Sequence, residues 1–269
     1  MENVQHQRII DCHCHVYPDK IAAKAVKGIG DFYGLHMDMA GTVSDMKNAE
    51  RDANVSDCII FSVATKQSQV RSINEFIASE VAKDPVHLTG LGTLHPDSDD
   101  IDGDIEQIIS LGLKGVKLHP DVQQFKIDDY RCLKIYEKCE GRLPILMHTG
   151  DKRYDFSNPN RLKPILEIFT GLTVIGAHLG GWSIWEKAAR ELCGFGNFYV
   201  DCSSSLYALD KTTATGIIRE YGSERVLFGT DYPMWEPKAE LARFDSLQLT
   251  EKERQDILWK NAVRLFGIG

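Results

Sequence analysis

The sequence predicts a single-domain (β/α)8 TIM barrel, because its length and two repeated patterns agree on that fold. The chain has 269 residues, a length at which α/β barrels commonly form one domain. Short apolar runs alternate with amphipathic stretches, and this alternation indicates a parallel sheet with crossover helices. There are eight such runs, the strand number of a closed barrel. We therefore expect one domain over residues 1–269.

The eight runs are rich in Val, Ile, Leu and Phe, as expected for parallel strands that are buried on both faces. They span 8–13, 57–64, 87–94, 114–119, 143–148, 172–178, 197–203 and 225–231. A doubly wound open sheet is the alternative. Against it, no G-x-G-x-x-G follows the first run, and G-x-x-x-x-G-K-[ST] does not occur in the sequence.

Eight further stretches carry apolar residues at helical spacing. The last of them opens with Thr250 and Glu253, the pattern of a capping box. The predicted helices span 44–54, 70–84, 104–112, 129–141, 161–171, 185–196, 212–222 and 250–267. The segment 16–43 contains four glycines, and we expect it to be loop-like and to fold over a site.

Composition excludes several classes of partner. The net charge is −8 without a basic run, which argues against nucleic acid. No apolar run approaches the ~20 residues that span a bilayer, and the N-terminus lacks the apolar core of a signal peptide. The seven cysteines show no paired framework, as is typical of reduced thiols. We expect a cytoplasmic protein with no membrane partner and a small-molecule substrate. Because barrels of this kind often pair, a homodimer is the oligomeric state that we consider.

Five of the eight runs end in histidine or aspartate. The side chains are His13 with His15, His119, His148, His178 and Asp231. In a (β/α)8 barrel the C-terminal ends of the strands open on one face, where active sites are built. We therefore expect these residues to converge, whereas the other histidines (His6, His36, His87 and His95) are expected to be structural or exposed.

Two imidazoles stand at the end of the first run, in "DCHCH". Because residues two apart in a strand share a face, His13 and His15 are predicted to point into the barrel, and Cys12 and Cys14 to pack outward. A C-x-C zinc site is the alternative, but it lacks a second cysteine pair at suitable spacing. Three histidines and an aspartate suit one divalent ion with an open position: Zn²⁺ first, then Mn²⁺ or Fe²⁺. A remaining histidine could act as general acid or base.

Five motifs, in this order, resemble the amidohydrolase superfamily over nearly the whole chain: "DCHCH", "GVKLHP", "PILMHTG", "VIGAHLGG" and "VLFGTDYP". The resemblance is to its amidohydrolase-2 branch, which includes aminocarboxymuconate-semialdehyde-decarboxylase-like enzymes. It implies a metal-dependent TIM barrel in which His13, His15, His148 and Asp231 bind the metal. It further implies that His178 contacts or activates the catalytic water, and that Asp231 also accepts a proton.

Lys117 and His119 lie on one face of the fourth run. Binuclear members of the superfamily often carry a carboxylated lysine on that strand. Lys117 could be that bridge, pair with a substrate carboxylate, or neutralise an acidic mouth. We favour the second or third role because this branch is usually mononuclear, and we expect His119 to contact substrate rather than metal.

The polar segment 148–162 offers candidates to orient a substrate, and the alternative is a solvated loop. The candidates are Asp151, Arg153, Tyr154, Asn158 and Arg161. Arg161 is the favoured carboxylate clamp because of its planar guanidinium. Trp182 either walls the pocket or packs against the next helix.

Three functions are compatible with these residues. The first is a metal-dependent hydrolase, in which activated water attacks a small amide, ester or lactone, with a carboxylate-bearing substrate favoured. The alternative is a metal-dependent nonoxidative decarboxylase of a small unsaturated or aromatic acid. A noncatalytic barrel comes third, because such a relic should have lost some of the ligand set.

Overall fold

A computed structural model describes residues 7–269 as an eight-stranded parallel barrel surrounded by helices, which confirms the predicted fold class. His6 lies outside the described residues. The strands are β1 (Ile10–His15), β2 (Asp57–Phe61), β3 (Leu88–Gly90), β4 (Gly92–Thr93), β5 (Val116–Leu118), β6 (Ile145–Met147), β7 (Val174–Gly176), β8 (Phe198–Asp201) and β9 (Val226–Leu227). Because β3 and β4 are separated only by Leu91, they form one strand of the barrel.

Backbone hydrogen bonds close the barrel between its first and last strands. The Cys12 N–H donates to the Phe228 carbonyl at 2.9 Å, and the His15 N–H donates to the Tyr232 carbonyl at 2.7 Å. Every strand pair in the ladder is parallel. The C-terminal strand ends therefore share one face, as the barrel hypothesis requires.

The eight predicted helices are present, with ends shifted by a few residues. The helices are α1 (Asp19–Tyr33), α2 (Val43–Asp52), α3 (Val70–Lys83), α4 (Ile101–Ser110), α5 (Pro120–Gln123), α6 (Tyr130–Cys139), α7 (Pro159–Ile168), α8 (Trp185–Leu192), α9 (Lys211–Tyr221), α10 (Pro237–Asp245), α11 (Glu251–Gln255) and α12 (Asn261–Phe266), with a π-helical stretch at Asp256–Lys260. None of the described helices is long and apolar enough to cross a membrane.

The prediction of a loop over 16–43 is wrong for its first half, which forms α1. Two of the glycines that suggested a loop, Gly28 and Gly30, lie inside this helix. At Gly30 the returning chain passes so closely that a Cβ atom would lie 2.6 Å from the Leu35 carbonyl oxygen. Glycine is therefore needed there for close approach rather than for chain flexibility. The sequence also failed to predict α10.

Two apolar layers hold the barrel together. Inside it pack Ile10, Ile59, Leu91, Leu146, Ile175 and Leu227, and a larger layer fills the space between strands and helices. Each fully buried side chain of this size stabilises the fold by about 1.5–3 kcal/mol relative to an exposed one. The strand ends that carry the predicted site residues are therefore supported by a tightly packed core.

A β-bulge changes the orientation of the residues in β1. Asp11 pairs with Cys58 and Cys14 pairs with Ile60, so β1 has one residue more than β2 over this stretch. Because the extra residue reverses the alternation, Cys12 packs in the interior layer whereas Cys14 packs in the outer one. The prediction that both cysteines pack outward is wrong for Cys12.

Candidate active site

Three of the predicted ligands meet at the C-terminal ends of the strands. His13 Nε2 lies 3.3 Å from His15 Nε2 and 3.3 Å from Asp231 Oδ1, and His15 Nε2 lies 3.6 Å from the same oxygen. Two imidazole nitrogens and a carboxylate oxygen are donors that zinc and manganese accept. Ligands of a tetrahedral ion with bonds of about 2.1 Å lie roughly 3.4 Å apart, so the spacing fits a single divalent ion.

His13 is held in one orientation by buried partners. Its Nδ1 lies 2.8 Å from Asp201 Oδ2, and both side chains are fully buried. Its backbone N–H donates to the Asp11 carboxylate, which also accepts from the Thr230 N–H and so ties β1 to the chain that follows β9. With a proton on Nδ1, the Nε2 atom carries the free lone pair that a metal ligand needs.

A second row of imidazoles lies beside the first group. His178 Nδ1 lies 2.9 Å from Ser203 Oγ and 3.1 Å from the Ser203 carbonyl oxygen, and its Nε2 lies 3.1 Å from His148 Nδ1. His148 stacks on His119 with ring centroids 4.0 Å apart. Because the Ser203 carbonyl can only accept, His178 donates from Nδ1, and its Nε2 accepts the hydrogen bond from the Nδ1–H of His148.

The structure places His148 in this row rather than in the group of His13, His15 and Asp231. Its Nε2 is buried, has no hydrogen-bond partner among residues 7–269, and lies 3.6 Å from Asp121 Oδ2. Burial raises the pKa of Asp121 to about 7. An unpartnered buried nitrogen is costly in a protein interior, which fits a residue that acquires a partner when the site is loaded.

Lys117 is fully buried below these donors, and its ammonium group lies near the carboxylates of Asp201 and Asp231. Its Nζ donates to His13 Nε2 at 3.1 Å and lies 4.9 Å from the centre of the Phe61 ring. It forms no ion pair with any carboxylate in the described part of the chain. Burial lowers the pKa of Lys117 to about 8, while the charges of Asp201 and Asp231 act against this shift.

Burial also shifts the other ionisable groups of the site. It lowers the pKa values of His13, His15, His119 and His148 well below the usual range. The pKa of His178 falls to about 3 from the same cause. The imidazoles are therefore neutral, the form that binds metals and accepts protons.

Asp231 combines a raised pKa with a strained backbone. Burial raises the pKa of this carboxyl to about 7, although the Ser204 hydroxyl, which donates to its Oδ2, opposes the shift. Its φ angle is 65°, and that of His178 is 62°. Positive φ angles at non-glycine residues cluster at functional sites, where the surrounding structure maintains the strain.

Helix α1 covers the site. The Tyr33 hydroxyl lies 2.9 Å from His119 Nε2, and α1 contributes Val26 and Ile29 to the wall of the cavity. The cavity measures only about 30 Å³, the volume of one or two waters. Its lining is His15, Tyr17, Val26, Ile29, Tyr33, Met37, Lys117, His119, His178, Asp231, Pro233 and Met234. A substrate can therefore enter only if this cover moves.

The predicted clamp residue does not reach the cavity. Arg161 binds Asp128 and Asp155 through its guanidinium, and these ion pairs hold it on the outer side of the loop. Tyr154 stacks on Phe32 with centroids 5.7 Å apart, and it is not among the residues that line the cavity.

Arg153 and Trp182 belong to the cover instead. The Arg153 guanidinium pairs with Asp151 and donates to the Phe32 carbonyl at 2.8 Å. It lies 4.9–5.2 Å from the ring centres of Phe32, Tyr33, Tyr154 and Trp182. These contacts fasten α1 to the loop after β6.

Sequence reasoning missed Asp201, which orients His13. It ends β8 as the predicted ligands end their strands, so the strand-end rule could have found it. The residues contributed by α1 could not be found in this way, since the sequence predicts a loop over that segment.

The amidohydrolase family model matches residues 10–268. The chain belongs to the amidohydrolase family. No curated protein matches this amidohydrolase. An uncharacterised TIM-barrel protein from Bordetella bronchiseptica is 22% identical, with a TM-score of 0.81, and 97% of this chain and 99% of that chain are covered.

Two solved decarboxylases share the fold of this amidohydrolase. The 5-carboxyvanillate decarboxylase of Sphingomonas paucimobilis is 16% identical with a TM-score of 0.75, and 98% of this chain and 100% of that chain are covered. The dihydroxybenzoic acid decarboxylase of Polaromonas, solved with manganese and an inhibitor, is 17% identical with a TM-score of 0.72, and 97% of each chain is covered.

Proposed function

We propose that this amidohydrolase is a metal-dependent, nonoxidative decarboxylase of a small unsaturated or aromatic carboxylic acid. The observation that carries the proposal is Lys117: a buried cation beside the metal donors, near the charges of Asp201 and Asp231 but without a direct salt bridge among the described residues. A buried charge is stable only when it is paired, and a substrate carboxylate would supply the partner.

The donor set supports a divalent cation at this site. His13, His15 and Asp231 would hold it through the atoms that already lie 3.3–3.6 Å apart, and His148 is the fourth ligand that the family resemblance suggests. When bound, such an ion supplies positive charge that orients and polarises the oxygens of the substrate. Manganese and zinc are the candidates, and the Polaromonas relative holds manganese.

Substrate binding, proton transfer and the exclusion of water would be carried out by residues of the chain. Lys117 Nζ binds the carboxylate, and Asp231, the acid–base residue that the family resemblance suggests, gives its proton to the carbon that bears this group. The carbon–carbon bond then breaks, its electron pair restores the unsaturated system, and CO₂ leaves. A proton from solvent returns to Asp231. The cover formed by α1 excludes other water.

Hydrolysis is the function that the sequence analysis places first, and the solved relatives favour its alternative. Two of the three structures described above are named as decarboxylases of hydroxylated aromatic acids. The apolar part of the cavity wall, with Val26, Ile29 and Met234, suits a flat unsaturated ring.

The test is a panel of small hydroxybenzoates and unsaturated carboxylic acids, incubated with the Mn²⁺- or Zn²⁺-loaded protein. The proposal predicts CO₂ release in proportion to product, without incorporation of oxygen from ¹⁸O-labelled water into the product. Amides, esters and lactones serve as the comparison panel. Their turnover with ¹⁸O incorporation, and no CO₂ from any acid, would show that the hydrolase hypothesis is correct instead.

A further inference from the structure

A second group of metal-binding side chains lies on the outer face of the barrel wall, under α2. Cys14 of β1 and Cys58 of β2 face outward there, and α2 places Glu50 against them. Cys14 Sγ lies 3.9 Å from Glu50 Oε1, and one donor atom from each residue lies within 4.8 Å of the other two. All three side chains are buried.

Glu50 is the least satisfied member of this group. Its Oε2 is buried and has no hydrogen-bond partner among residues 7–269. Burial raises the pKa of Glu50 well above its usual range, and the nearby Asp11 carboxylate adds to this shift. A buried carboxyl oxygen against two thiols is costly unless it binds a proton or a cation.

The chemistry of the three donors selects the type of cation. Two cysteine sulfurs and one carboxylate oxygen suit zinc and cobalt, whereas magnesium and calcium prefer oxygen donors alone. A groove of about 1210 Å³ between α2 and α10 has Glu50 and Cys58 among its lining residues. An ion could therefore reach the cluster from solvent without passing through the active site.

We propose that Cys14, Cys58 and Glu50 form a second metal site, selective for a zinc-type divalent cation and separate from the proposed active centre. Cys14 packs in the outer layer, on the other side of β1 from the interior layer, so the two sites lie on opposite faces of one strand. Binding releases the protons of the two thiols and of Glu50 to solvent, and the two sulfurs and a carboxylate oxygen then coordinate the ion. A water from the groove can complete a tetrahedral set.

Cobalt titration of the full chain under reducing conditions tests this site, because Co²⁺ bound to thiolates absorbs in the near ultraviolet by sulfur-to-metal charge transfer. The expected result is a band that saturates at one cobalt per chain and is displaced by Zn²⁺. The active centre offers only nitrogen and oxygen donors, so its loading leaves this region unchanged. The readout is therefore independent of the proposed decarboxylation.

Single substitutions show which side chains give rise to the cobalt charge-transfer band. Cys58→Ser should abolish it, and Glu50→Gln should weaken cobalt binding at least about tenfold, because it removes the anionic oxygen. Cys193→Ser, a change at the half-buried cysteine after α8, and His15→Ala should both retain it. If Cys58→Ser does not fold by circular dichroism, the Glu50→Gln affinity decides. No band in the wild type, or unchanged binding by Glu50→Gln, would overturn the proposal.

Discussion

At the scale of single residues, the chemistry of the site depends on what burial does to each charge. Lys117 lies in the centre of the barrel, where desolvation lowers its pKa to about 8 and where, among residues 7–269, a histidine nitrogen alone accepts its hydrogen bond. Such a lysine is maintained at a cost in stability, which suggests a role in binding. The sequence placed Lys117 on the right face of its strand but could not reveal that it makes no direct salt bridge within the described part of the chain.

Replacing Lys117 by methionine tests its role in binding the substrate carboxylate. We expect kcat/KM for the acid substrate to fall at least about 100-fold, since a charge-assisted contact in a buried site is lost. Lys114→Met removes a charge from the exposed residue just before the same strand and should leave kinetics unchanged. Equal kinetics for the two variants would contradict the assignment.

The strand-end pattern found His13, His15 and Asp231 because a barrel brings these positions together whatever the connecting segments do. The separate prediction that Arg161 clamps a carboxylate, made from the polar segment 148–162, failed because ion pairs with Asp128 and Asp155 set the direction of this side chain. Side-chain partners far apart in sequence, such as His13 and Asp201, follow from the fold rather than from local pattern.

At the scale of elements, α1 determines access to the site. Arg153 fastens its C-terminal end through the Phe32 carbonyl and four aromatic rings, and Tyr33 contacts His119. The cavity beneath is far smaller than an aromatic acid, so opening of α1 must precede binding. Because glycines occur inside this helix, composition alone suggested a loop.

Arg153→Ala should loosen this cover. We expect amide hydrogen exchange over residues 19–33 to increase at least about tenfold, because each cation–π contact contributes roughly 0.5–1 kcal/mol or more. Exchange in β1 should not change. Arg161→Ala, which removes a guanidinium from the first turn of α7 without freeing α1, provides the control. Unaltered exchange in the Arg153 variant would show that the helix is held by other contacts.

Helix α10 carries a buried acid that makes stability depend on pH. Burial raises the pKa of Glu240 to about 7, although the neighbouring Arg243 opposes the shift. The folded protein therefore binds a proton more tightly than the unfolded chain does, and the resulting stability is complete below the unfolded value of 4.5 and is lost as pH rises through 7.

Glu240→Gln should remove this dependence. The variant should be more stable than the wild type at pH 8 by up to about 3 kcal/mol, and the gain should vanish at pH 5. Urea unfolding at the two pH values measures both differences. A variant that is less stable at pH 8 would mean that the ion pair with Arg243 outweighs the cost of burying the carboxylate.

At the scale of the whole molecule, the alternation of apolar runs and helical stretches was sufficient to predict the barrel. Each of the eight runs became one barrel strand, since buried parallel strands need apolar side chains on both faces. The bulge in β1 was not predictable, because it depends on the register with β2. With the bulge, Cys12 packs in the interior layer, and only Cys14 of the two remains in the outer layer beside Glu50 and Cys58.

Metal loading should stabilise the whole barrel, since the proposed ligands come from strands at both ends of the chain. At a free ion concentration of 1,000 times Kd, the gain should be about 4 kcal/mol, provided that the unfolded chain does not bind. Thermal unfolding with and without a chelator measures it. In the His15→Ala variant the increment should shrink, and the same increment there would place the stabilising ion elsewhere.

The most direct test is a crystal structure of the Mn²⁺-loaded protein, with an anomalous difference map recorded at the manganese absorption edge. We predict one strong peak at bonding distance from His13 Nε2, His15 Nε2 and Asp231 Oδ1, and the map will also show whether His148 is the fourth ligand. No peak at these atoms, or a peak bound by other residues alone, would contradict the account.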